Sequence, residues 1–107
     1  MADQRVVDAS FAPIQGGATV TTATLAADGF GPPAKLRGNA NLWLSGTWAG
    51  TVTLQASHDD GATWAPVGTF TTPQRVPIFE PEAGVTYRAG FLPGGHTSGT
   101  AVVRLSQ

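Results

Sequence analysis

The chain reads as an all-β domain, an antiparallel β-sandwich of Ig-like or jelly-roll-like type with seven or eight short strands. Three observations predict it. The 107 residues include 14 Gly and 8 Pro, and Thr is abundant while Glu, Lys and Leu in helical spacing are scarce; that composition disfavours helices of any length. Runs of strict apolar–polar alternation recur along the chain. Turn-forming clusters separate these runs at short, even intervals, which is how two face-to-face sheets are written in sequence.

Taken in order, residues 1–16 form an N-terminal arm or edge strand, and residues 17–107 form the sandwich. Within the arm, Val6, Val7, Phe11 and Ile14 follow no clean period, and a Gly pair closes the segment. The run "ATVTTATLA", Ala18 to Ala26, is rich in β-branched residues and ends in the turn signal "DGFGPP" from Asp28 to Pro33. A polar link with Lys35, Arg37 and Gly38 leads to "NLWLSGTW", where Leu42 and Leu44 share one face and Trp43 takes the other. "GTVTLQAS" alternates Val52, Leu54 and Ala56 with Thr51, Thr53 and Gln55, the pattern of a half-buried strand with a polar outer face. In "TWAPVGTFTT" and "RVPIFEPEAG" the prolines Pro66 and Pro77 lack an N–H, so both strands are expected at an edge or a bulge. "VTYRAGF" sets Val85, Tyr87, Ala89 and Phe91 inward, and "TAVVRLS" sets Ala101, Val103 and Leu105 inward with Arg104 outward.

Between the strands at Val52–Ala56 and Thr63–Phe70 lies "SHDDGATW", where the chain must reverse. An Asp carboxylate accepts hydrogen bonds from turn N–H groups, Gly takes a positive φ, and an aromatic just beyond packs over the turn. Asp59, Gly61 and Trp64 supply these, with Ser57 and Thr63 as further local hydrogen-bonding groups. The spacing Ser57, Asp59, Gly61, Thr63, Trp64 resembles the Asp-box, a hairpin motif of sialidases and other β-propellers and of isolated β-modules. That resemblance implies a structural turn lying away from any catalytic site. A propeller needs several blades, and this chain has one box and room for about one or two of them; Asp59 with Asp60 falls short of the about six to eight oxygens that Ca²⁺ takes.

A second resemblance spans about two-thirds of the chain, Asn41 to Gln107. The succession "NLWLSGTWAGTVTLQASHDDGATW", "FEPEAGVTYR" and "SGTAVVRLSQ" is similar to small β-sandwich virion proteins of tailed bacteriophages. It implies a capsid decoration or cement protein, a head fibre or a tail-associated module. The expected localisation is the virion, after synthesis in the host cytoplasm. The N-terminus "MADQRVVDAS" has neither an apolar core nor a cleavage-site pattern, so no signal peptide is expected.

Composition narrows the chemistry. Six basic residues, only one of them Lys, balance seven acidic ones without runs of either sign, so no nucleic-acid stripe is expected. No segment reaches the length of a membrane span. Cysteine is absent, which removes disulfides, thiolate metal sites and cysteine nucleophiles. His58 and His96 stand in polar turn contexts and read as solvated loop residues. Ser57, His58 and Asp59 are consecutive on a turn and cannot converge as a triad. Glu80 and Glu82 flank Pro81 and mark a solvated turn in preference to a glycosidase pair. "LPGGHTSGT", Leu92 to Thr100, is Gly-rich but precedes a strand and not a helix, so it reads as a mobile hairpin loop. No catalytic residue, cofactor or metal is assigned, and a small hydrolase is the weakest reading.

Trp43 and Trp48 are the candidate surface aromatics. Trp43 suits packing within the sandwich or contact with a neighbouring subunit or sugar, and Trp48, beside Gly46 and Gly50, suits a strand bend. Three Trp on a β scaffold make a carbohydrate-binding module the alternative function. The partners expected are the phage capsid or another virion protein, and further copies of the chain. By analogy with decoration proteins the copies form a trimer, with Val6, Val7, Phe11 and Ile14 as the contact arm.

Overall fold

The computed structural model describes residues 19–107. The arm residues Val6, Val7, Phe11 and Ile14 lie outside the described residues. All regular structure from Thr19 onward is β, in nine strands: β1 (Val20–Leu25), β2 (Gly29–Phe30), β3 (Ala34–Lys35), β4 (Gly38–Gly50), β5 (Val52–Ser57), β6 (Ala65–Phe70), β7 (Gln74–Glu80), β8 (Thr86–Phe91) and β9 (His96–Ser106).

Two antiparallel sheets face each other. One has the order β1-β9-β4-β7; the other has β2-β8-β5-β6, with β3 also pairing β8. β2 and β3 are one strand's worth of chain, broken at Gly31, Pro32 and Pro33, because two prolines have no N–H to give a ladder. Counted so, the first strand pairs with the last, the second with the last but one, and so on inward to β5 with β6. A long two-stranded ribbon rolled up on itself has this pairing, which makes the sandwich a jelly roll. The β5–β6 turn is the closed tip of the ribbon. At its open end the N–H of Gln107 donates to the carbonyl of Thr19 at 2.9 Å.

The alternating residues meet between the sheets. Leu42 and Leu44 of β4, Val52 and Leu54 of β5, Tyr87, Ala89 and Phe91 of β8, and Ala101, Val103 and Leu105 of β9 are buried in one cluster. Complete burial of a side chain such as Phe91 or Leu42 stabilises the fold by about 1.5–3 kcal/mol each. Pro66 and Pro77 lie on β6 and β7, each an edge strand. β6 also bulges where the register shifts opposite Leu54 and Gln55.

Two local expectations change. β5 is not half-buried, since Thr53, Gln55 and Ser57 on its outer face are buried as well; β5 is interior to its sheet, and side chains from neighbouring strands fold over that face. The segment Leu92–Thr100 is not a free loop. The turn closes at Leu92–Gly95, where the Gly95 N–H donates to the Leu92 carbonyl at 2.7 Å, and β9 begins at His96. The Asp28 carboxylate ties that turn by accepting from the N–H groups of Gly94 (2.8 Å) and His96 (2.9 Å). These bonds hold the Asp28 carboxyl below its ordinary pKa.

Candidate interaction surface

At the ribbon tip, Ser57 is buried and its Oγ accepts from the Gly61 N–H at 2.8 Å while donating to Asp59 Oδ1 at 2.6 Å. Asp59 accepts from the Thr63 N–H (2.9 Å) and the Thr63 hydroxyl (2.5 Å). Its carboxylate therefore sits far below the usual carboxylate range, first because of the Ser57 hydroxyl and then the Thr63 hydroxyl and N–H. Asp60 (φ 57°) and Gly61 (φ 88°) are both left-handed. A Cβ on Gly61 would lie 3.3 Å from the Trp64 ring, which packs across the turn. Every polar group of Asp59 and Ser57 is thus committed to the hairpin, and neither is poised for chemistry.

Trp64 continues onto the outer face of the five-stranded sheet, where sequence gave no warning of what it meets. The Arg88 guanidinium lies 4.1 Å from the centroid of Trp64 and 4.1 Å from that of Phe30, stacked between two rings. Its Nε donates to Gln55 Oε1 at 2.8 Å. Lys35 and Asp60 form an ion pair beside this stack. These groups come from β2, β3, β5, β8 and the β5–β6 turn, so no window of sequence contains them together. The Phe30–Arg88–Trp64 stack covers the middle of this sheet's outer face, over buried Gln55.

The four-stranded sheet is different, because its outer face is open. Trp43 is 45% exposed and Phe79 68%. Arg75, opposite Trp43 on β7, places its guanidinium 5.6 Å from the Trp43 ring centroid, and Arg104 is Trp43's partner on β9. Among the described residues neither Arg75 nor Arg104 is in an ion pair. Asn41, Ser45 and Pro77 fill in the same face by strand parity. The result is a sheet face with two exposed aromatics and two arginines, held on paired strands.

Trp48 does not belong to it. Six residues after Leu42 on β4 it points inward, packs on the core, and buries its indole Nε1 without a partner among the described residues. Strand parity from Leu42 and Leu44 carries through Gly46, so Trp48 is corrected from a surface aromatic to an inward-facing one. His96 is also not a solvated loop residue: it is partly buried on β9, edge-on to Phe91 at 5.0 Å, with Nε2 2.9 Å from the Gly99 carbonyl. His58 is exposed. Glu80 accepts from the Tyr87 hydroxyl (2.6 Å) and from the Glu82 N–H (3.0 Å), which makes it a turn residue. Among the described residues no group of three or more acidic or His side chains is arranged to hold a metal. No protein-family model, curated protein or solved structure matches the chain.

Proposed function

We propose that the chain is a non-enzymatic structural module of a tailed-phage virion, a decoration protein that binds the capsid surface and acts as a homo-oligomer. The observation that carries the binding half of this reading is the open face of the four-stranded sheet, with Trp43, Phe79, Arg75 and Arg104. Aromatic residues and Arg are the types that concentrate in the centre of protein interfaces and supply most of their energy. Trp43 and Phe79 are exposed at separate points of one strand scaffold, which holds them in place, so little backbone freedom is lost when a partner covers them. The virion half rests on the resemblance of Asn41–Gln107 to phage β-sandwich proteins, since a jelly roll by itself serves many functions.

The test is direct. Purified particles analysed by mass spectrometry are expected to contain the protein in many copies, and Trp43→Ala with Arg75→Ala is expected to abolish its rebinding to stripped capsids. Absence from the particle overturns the reading. A carbohydrate-binding module is the second reading, favoured by the exposed Trp43 ring on the open sheet face. Glycan-array binding that disappears in Trp43→Ala would establish it, although with Trp48 turned inward these two residues form no pair of coplanar surface rings.

A further inference from the structure

A sheet edge exposes unpaired N–H and C=O groups, and stable monomers blunt such edges with Pro, bulges, charges or very short strands. Three of the four edges here are blunted. β7 carries Pro77 at its centre; β6 carries Pro66 and the bulge beside it; β2 and β3 are two residues each, parted by Pro32 and Pro33. β1 has none of these devices. It reads Val-Thr-Thr-Ala-Thr-Leu, pairs with β9 in unbroken register from Val20 to Leu25, and has no strand on its other side among the described residues.

The register says which groups are free. The Gln107 N–H bonds the Thr19 carbonyl, and antiparallel bonding alternates, so Thr19, Thr21, Ala23 and Leu25 bond to β9. The N–H and C=O groups of Val20, Thr22 and Thr24 therefore point away from the sheet. We propose that these groups pair with the same groups of a second copy, β1 against β1 about a two-fold axis at Thr22, so that the two four-stranded sheets become one continuous sheet.

The edge is self-complementary. Centred on Thr22, the antiparallel register sets Thr22 against Thr22 and Val20 against Thr24, β-branched pairs that favour a sheet, and β1 has no charge to repel its copy. The chain preceding β1 is a poorer match on sequence. A reversal at Gly16–Gly17 would set Pro13, which has no N–H, opposite Val20 at a bonding position, with Ser10 and Asp8 on the core side. Two-fold pairing makes a dimer, where the phage resemblance implies a trimer. The inference rests on the edge alone and not on the virion reading.

Sedimentation of the full chain tests it, with Thr22→Pro and Thr22→Lys. The Thr22 N–H is not used by β9, so Pro at this edge position leaves the β1–β9 ladder intact while removing the central interchain donor. Lys at the axis sets like charges face to face. The full chain is expected to sediment as a dimer and both variants as monomers with the parent's far-ultraviolet spectrum. Amide exchange at Val20, Thr22 and Thr24 is expected to slow as protein concentration rises in the parent only. If Thr22→Pro fails to fold, Thr22→Lys decides. A monomer at all concentrations, a trimer, a dimer that survives both substitutions, or concentration-independent protection of those three amides overturns the proposal. Capsid rebinding by Trp43→Ala is scored separately, so failure of either proposal leaves the other readable.

Discussion

Replacing Arg88 by Met keeps most of the aliphatic stem and removes the charge held between Phe30 and Trp64. Two ring contacts at 4.1 Å are lost, together about 1–2 kcal/mol for partly covered sites. The Gln55 carbonyl oxygen, on a side chain only 7% exposed, loses its 2.8 Å donor; leaving such an acceptor unpaired costs about 1–3 kcal/mol. The expected destabilisation is about 2–4 kcal/mol, a shift of about ten degrees or more in melting temperature for a domain of this size. Adding Gln55→Leu removes the orphaned acceptor, so the double variant should be less destabilised than the sum of the singles by about 1–2 kcal/mol. Arg88→Lys should behave more like Met than like Arg, because an ammonium neither stacks as a plane nor presents the Nε donor. Urea denaturation of the four proteins closes the cycle. A loss below about 0.5 kcal/mol for Arg88→Met, or strict additivity in the double variant, would refute the view that this stack holds the outer face of the sheet together.

Other expectations concern the turns and the titrating groups. Gly61→Val and Gly84→Val both place a β-branched residue at positive φ, costing about 1–3 kcal/mol, but only Gly61 has the Trp64 ring at 3.3 Å while Gly84 has open space; thermal melts should show the larger loss at Gly61, and equal losses would remove Trp64 from the account. Asp59 and Asp28 have lowered carboxyl pKa values, so their contribution is present above the unfolded value near ~3.9 and is lost as pH falls through the folded values. Urea midpoints should fall on acidification below about pH 4, and Asp59→Asn should flatten that limb; an unchanged limb in Asp59→Asn would be the contrary result. Tyr87 is shifted the other way, raised first by burial and then by Glu80. Its contribution holds below the unfolded value near ~10 and is lost as pH rises through the folded one. Tyr87→Phe should cost about 1 kcal/mol at neutral pH and reduce the alkaline loss of stability, which spectrophotometric unfolding at high pH can measure.

Period-two alternation made the strands and their buried faces legible in sequence, because Leu42 and Leu44 in β4, Val52 and Leu54 in β5, Tyr87, Ala89 and Phe91 in β8, and Ala101, Val103 and Leu105 in β9 recur at every second position and all face the core. Turn chemistry made the β5–β6 hairpin legible, since Asp59 and Gly61 act within a few residues of their own backbone. What escaped was contact across strands. Phe30, Gln55, Trp64 and Arg88 meet only after the ribbon rolls, so nothing local marks Gln55 as a buried group or β5 as covered on both faces. The tie from Asp28 to Gly94 and His96 likewise joins distant turns, and without it Leu92–Thr100 reads as a loose Gly-rich loop. Trp48 was within reach of parity from Leu42, but the flanking Gly46 and Gly50 read as a bend where the strand in fact continues.

The nesting of strand pairs also dictates an order of closure during folding. Joining Val20 to Ser106 in an otherwise open chain means closing nearly the whole domain as one loop, whereas joining Ala56 to Ala65 closes only the Asp59 turn. Loop entropy favours the short closure first, and every inner pair already formed shortens the loop that the next outer pair must close. The chain can thus zip from the Asp59–Gly61 tip outward, with β1 and β9 last. Changes at the tip then slow folding, and changes in β1 chiefly hasten unfolding. The same edge that awaits a second copy is the last part of the domain to form and the first to fray.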